Sequence, residues 1–263
     1  MSKLRLIGAS VLTAGLGLGS AASAATVDFE TPGQWDANFR EVLRPEEMTQ
    51  TSNGAANDFV RKVGSANNTS TVAIYDLTPI DGTRKNVFAN GFSVTLDAAF
   101  TGTGGSLGIY AVDPNNEGAN GLLALFNVDS SGTNDLFRFW SGTNPTSSGT
   151  GVAAGSTTGA GGPNVGGGFA PITFTYSSSG TTPTMTITSG THTATSTFTA
   201  GTALANPQFA LRVYGGLPTT NTVDIDNIVI TPESTEIPEP ASAGLLVAGA
   251  VMGLTRRSRR RGR

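Results

Sequence analysis

Apolar and polar positions alternate with a period of two through much of this chain. Phe92, Val94, Leu96, Ala98 and Phe100 are separated by Ser93, Thr95, Asp97 and Ala99. Ile172, Phe174 and Tyr176 alternate with Thr173 and Thr175, and Met185 and Ile187 sit between Thr184, Thr186 and Thr188. Such patterning, with β-branched residues on the wet side, marks antiparallel sheet with one buried face. The runs 72–77, 107–112, 122–128, 136–140, 193–199, 209–214 and 222–230 read as further strands. No stretch between the two ends sustains a helical period, apart from a short turn expected near Pro45–Met48. Many short strands separated by turn residues predict an all-β, antiparallel β-sandwich, of the jelly-roll kind.

Between Ser141 and Ala170 large apolar residues nearly vanish and Gly, Ser and Thr dominate. A segment that buries so little is expected to be a long surface loop (141–170) within one domain spanning 25–231. Residues 232–240 are rich in Pro and Glu and read as an extended linker.

The two ends follow other rules. Lys3 and Arg5, the apolar run Leu6–Leu18 and the small residues Ala22, Ser23 and Ala24 have the three-part form of a secretory signal peptide (1–24), cut by signal peptidase after Ala24 or Ala25. Near the other end, Pro238-Glu239-Pro240 precedes an uncharged stretch, Ala241–Leu254, and then Arg256, Arg257, Arg259, Arg260, Arg261 and Arg263. A helix over the stretch would span about 21 Å, short of a bilayer core of about 30 Å, although arginines snorkel. We expect a single transmembrane helix (241–255) with a cytoplasmic arginine tail (256–263) and the domain on the opposite side.

Whole-chain charge hides the character of the middle. Between residues 25 and 236 there are 8 basic and 18 acidic residues, a net charge of −10. This argues against nucleic acid, whose binding rests on neutralising phosphates. The absence of cysteine removes disulfides, thiolate catalysis and Cys-type zinc sites.

In its order of Pro-Glu-Pro, short apolar helix and Arg-rich end, the tail resembles the PEP-CTERM sorting signal, a segment also labelled an ice-binding-protein C-terminal domain. The resemblance covers residues 237–263. It implies recognition and cleavage by an exosortase, an inner-membrane-anchored precursor, and delivery to the cell surface or extracellular matrix of a polysaccharide-producing bacterium. The middle resembles lectin-like and carbohydrate-binding-module jelly rolls, through Val27-Asp28-Phe29-Glu30 in the first strand and Val223-Asp224-Ile225-Asp226-Asn227-Ile228 in the last. It implies a structural Ca²⁺ where these strands meet, with Glu30 and Asp226 as ligands and Asp28 beside them; hard oxygen donors suit that ion.

Candidate chemistry is sparse. Arg138 with Trp140, and Arg212 with Tyr214, are each two residues apart on predicted strands, so each pair shares a face. A guanidinium beside an aromatic ring suits a sugar, which offers both hydroxyls and C–H faces; Trp35 or Tyr110 are candidates to extend the platform. Asp224 and Asp226 also share a face, but the glutamates of lectin-fold glucanases are missing. The single histidine, His192, reads as an exposed strand residue without an acid partner. Thr184, Thr186, Thr188 and the alternate threonines from Thr191 to Thr199 form ranks that could match ice. The expectation is a non-catalytic, polysaccharide-associated binding module. A ligand-free structural matrix protein is the alternative, and a glycoside hydrolase or an ice binder ranks below both.

Overall fold

The computed structural model describes residues 24–233, apart from positions 46, 53–57, 65–68, 76–87, 89, 118–120, 130–133, 146–151, 160–161, 179–181, 200–201, 205–206 and 217–218. In chain order the elements are β1 (Ala25–Val27), α1 (Gln34–Asn38), β2 (Phe39–Leu43), β3 (Met48–Ser52), β4 (Asp58–Val63), β5 (Thr71–Tyr75) and β6 (Gly91–Phe100). They continue with β7 (Ser106–Val112), β8 (Gly121–Asn127), β9 (Asp135–Thr143), β10 (Val152–Gly159) and β11 (Ala170–Ser177). β12 (Thr184–Ser189), β13 (His192–Thr197), β14 (Gln208–Tyr214) and β15 (Thr222–Pro232) complete the set.

Two antiparallel sheets face each other. One has eight strands in the order β13-β12-β11-β6-β15-β4-β3, with β1 also paired to β15. The other has seven, in the order β10-β9-β8-β7-β14-β5-β2. The alternation read from the sequence decides which side chains point between them. In β6, Phe92, Val94, Leu96, Ala98 and Phe100 are buried while Ser93, Thr95, Asp97 and Ala99 are half-exposed. At one end the core is a run of rings: Trp35 stacks on Phe39 at 4.4 Å, Tyr75 stacks on Phe209 at 4.9 Å, and Phe92 lies 5.7 Å from Phe209. Rings from both sheets thus meet at Phe209.

At the β3–β4 edge a charge takes the place of an apolar residue. Lys62 is 2 % exposed, and its Nζ donates to Glu47 Oε2 at 2.6 Å, an oxygen that also accepts from the Thr71 hydroxyl. Burial by itself would raise the Glu47 pKa. The Lys62 hydrogen bond and charge, with Thr71 and Arg44, outweigh it and hold the carboxyl below its ordinary value.

Three expectations are corrected. The helical turn lies at Gln34–Asn38, entered through Gly33 at φ 84°, while Met48 begins a strand. The 141–170 segment is not all loop: β9 runs to Thr143, and Val152–Gly159 forms an edge strand paired with it. Its inward positions are small because β13 of the opposite sheet sits close. A Cβ added at Gly155 would lie 3.4 Å from Ser196 Oγ, and one at Gly159 would lie 2.1 Å from His192 Cγ. The ordered chain also runs past 231, because the Glu233 N–H donates to Gly91 O and its carboxylate accepts from the Ser177 hydroxyl. The expected signal peptide, membrane helix, Pro238-Glu239-Pro240 motif and arginine tail lie outside the described residues. Among the described residues, no helix is long and apolar enough to cross a membrane.

Candidate functional site

The outward face of the seven-stranded sheet is not the polar surface that a solvated sheet requires. Its register lays out two rows. One runs Trp140, Leu123, Tyr110, Ala210, Ile74, Arg40; the other runs Arg138, Leu125, Gly108, Arg212, Val72. Leu123, Leu125, Tyr110, Ala210, Ile74 and Val72 form a buried apolar cluster, against which the half-buried Trp140 packs. Glu117, which follows β7, meets the far edge of the sheet, where Arg40 Nη2 of β2 donates to its Oε1 at 2.8 Å.

At the other edge the face opens. Leu136, Arg138 and Trp140 of β9, with Ala153, Gly155 and Ser156 of β10, line a cleft of about 530 Å³. Arg138, Trp140, Arg212 and Tyr214 are all half-exposed on this one face, while Phe137, Phe139, Leu211 and Val213 point into the core, as their spacing predicts. The structure joins the two Arg/aromatic pairs in one sheet but not in one contact. Arg138 and Arg212 sit three strands apart in the same row, about 14 Å at ordinary strand spacing.

The two further aromatics separate. Trp35 is core: 2 % exposed, stacked on Phe39, its indole N–H donated to Glu41 Oε1. Tyr110 belongs to the floor of the face at 1 % exposure. Burial raises its pKa, and the charge of Arg212 opposes the rise in part. The β10 wall was not legible beforehand, because nothing about Val152–Gly159 resembles a half-buried strand.

The seam between first and last strands forms as the resemblance implied, with Val27 opposite Ile228. Asp226 is 2 % exposed and pairs across the sheet with Asp97, a like-charge juxtaposition that is normally unfavourable. Asn227, at φ 48°, relieves it in part: its N–H donates to Asp226 Oδ1, and its amide reaches Asp97 Oδ2 at 3.1 Å and Asp226 Oδ2 at 3.3 Å. Desolvation, followed by the charges of Glu30, Asp97 and Asp28, raises the Asp226 pKa against the Asn227 hydrogen bond. Among the described residues no group of three acids or histidines is arranged to hold a metal, and each Asp226 oxygen accepts one hydrogen bond from Asn227.

A carboxyl whose folded pKa is raised binds its proton more tightly in the folded state. Its contribution to stability is therefore present below the ordinary aspartate range and lost as pH rises through the raised value. Asp135, fully buried, shifts the same way, first through desolvation. We expect Asp226→Asn to raise the melting temperature at neutral pH and to flatten the gain that the parent shows on mild acidification. An unchanged pH profile in the variant would rule out Asp226 as the source.

The catalytic candidates are otherwise engaged. Asp224 accepts two hydrogen bonds of 2.7 Å from Arg61. His192 is half-buried rather than exposed, packed 4.8 Å from the Phe137 ring beneath Gly159. The threonine ranks lie on the outer face of the eight-stranded sheet, where hydroxyls pair across strands: Thr186 with Thr195, Thr188 with Thr193, and Thr95 with Thr173, at 2.9–3.0 Å. The right-handed twist between neighbouring strands keeps such an array from being flat.

The sequence matches no family model and no curated protein. Solved structures do match in fold. A legume lectin-like domain from Entamoeba histolytica superimposes with a TM-score of 0.50 at 11 % identity, over 78 % of this chain and 94 % of that one. The carbohydrate-binding module CBM66 from Bacillus subtilis gives 0.42 at 14 % identity, over 74 % and 96 %, and a Bacillus licheniformis beta-glucanase gives 0.48 at 9 %, over 81 % and 99 %. The first of these, with the two facing antiparallel sheets, gives the fold class: a lectin-like antiparallel sandwich. At such identity a likeness shows the fold alone, so function must be argued from the site.

Proposed function

We propose that this is a non-catalytic, polysaccharide-binding module that is exported and retained at the cell surface or in the extracellular matrix. The observation that carries the binding part is the cleft at the β9–β10 edge, where an accessible indole and a guanidinium stand two residues apart on an apolar sheet face. The aromatic ring offers a face for sugar C–H groups, and the guanidinium offers several donors in a fixed fork. Pull-down on the extracellular polysaccharide of the producing cells tests it; Trp140→Ala should be left in the supernatant. A variant retained as well as the parent favours the ligand-free structural reading instead.

Export rests on the two terminal segments. In this reading signal peptidase removes residues 1–24, and the tail, read by an exosortase at Pro238-Glu239-Pro240, holds the precursor in the inner membrane until cleavage. Mass spectrometry of the protein from its native host is expected to find neither residues 1–24 nor 241–263. A mature form still carrying 241–263 would make the tail a permanent anchor. Calcium at the Asp28/Glu30/Asp226 seam remains part of the proposal, since a cation would relieve the same repulsion that protonation relieves. Saturating Ca²⁺ should raise the melting temperature of the parent but not of Asp226→Asn, and no shift in the parent removes the ion.

A further inference from the structure

We infer that the polysaccharide held on the seven-stranded sheet is acidic, its carboxylate-bearing sugars read by Arg138 and Arg212 at two points along one chain. This rests on the glycan-binding reading above and narrows it. The region between residues 25 and 236 carries a net charge of −10, so a positive face on it runs against its composition. Yet the outward positions of β5, β7, β8, β9 and β14 contain no acidic residue and two arginines. Among the described residues neither Arg138 nor Arg212 has a carboxylate partner, whereas Arg40 on the same face is neutralised by Glu117 and Arg61 on the other sheet by Asp224.

The surroundings of these two cations sharpen the point. The floor between them is Leu125 and Gly108, and a Cβ at Gly108 would come within 2.8 Å of Leu125 Cδ1. The leucine side chain thus folds into the space that the glycine leaves. A charge bordering such an apolar, poorly solvated surface gains more from an anion than one standing in water. Because the arginines share a register row, an extended polymer crossing the strands would meet one and then, three strands on, the other. Trp140, two residues from Arg138, would stack on a ring between acid groups. Arginine suits a carboxylate through its planar fork, which makes two parallel hydrogen bonds that lysine cannot make.

The test measures retention of the protein in gels containing alginate or polygalacturonate. Fully methyl-esterified polygalacturonate and dextran serve as uncharged polymers, and dextran sulfate as a general polyanion. Binding to at least one uronan is expected, weakened roughly tenfold or more by either Arg138→Ala or Arg212→Ala. Arg138→Lys should recover only part of the loss, Arg44→Ala on the β2–β3 turn should change nothing, and esterification should abolish retention. Equal retention on the esterified and free polymers, with both arginine variants unaffected, would overturn the acidic assignment and leave the glycan reading standing. Retention on dextran sulfate alone, weakened as much by Arg44→Ala, would reduce the effect to general charge attraction and overturn it too. Retention by none of these polymers and none by the native polysaccharide would overturn both.

Discussion

Replacing Phe209 by alanine is expected to lower the unfolding free energy by about 3–5 kcal/mol. Phe209 is fully buried and its ring lies within 6.3 Å of Phe39, Tyr75, Phe88 and Phe92. Those neighbours come from both sheets, so the cavity would open where the sandwich closes rather than at an edge that can collapse. A domain of this kind has only about 5–15 kcal/mol of net stability, and no disulfide is available to limit the loss. Denaturant titration reads the effect as a shift in midpoint with little change in slope. A cost below about 1 kcal/mol would mean that the ring cluster does not join the two sheets as described.

Loss of the Trp140 ring has the second large effect. Trp140→Ala is expected to weaken polysaccharide binding by about 10–100-fold, equivalent to about 1.4–2.8 kcal/mol, while leaving the melting temperature close to that of the parent. The separation is possible because Trp140 lies on the outer face, half-exposed, whereas Phe139 beside it carries the core packing. Interface aromatics in partly desolvated pockets often dominate binding energy in this way. If Trp140→Ala unfolds the domain, Trp140→Phe keeps an aromatic face and should retain most of the binding.

The sequence was legible wherever one sheet face is apolar and the other polar. β6, β11 and β12 follow the alternation residue by residue, with burial to match. The strands that escaped notice break that rule for identifiable reasons. β4 buries Lys62 because Glu47 neutralises it. β3, a sheet edge, is largely polar after Met48. β10 has glycines at inward positions because β13 leaves no room for more.

At the candidate site, spacing of two placed Arg138 with Trp140 and Arg212 with Tyr214. That both pairs share one sheet depends on β8 and β7 lying between them, which is a matter of topology that local pattern does not carry. Trp35 was drawn toward the site by its residue type and belongs to the core, its indole nitrogen satisfied by Glu41. The acidic seam was foreseeable from the pairing of first and last strands. The left-handed Asn227 that fills it with amide donors was not.

Trp140 is also an intrinsic probe of binding at this face. The sequence contains two tryptophans; Trp35 is sealed in the core, so a bound polymer can change the emission of Trp140 alone. Titrating the protein with the producing cells' extracellular polysaccharide should shift tryptophan emission saturably, and Trp140→Phe should remove the shift. Saturable binding with emission unchanged in the parent would place the ligand elsewhere and contradict the assignment of this face.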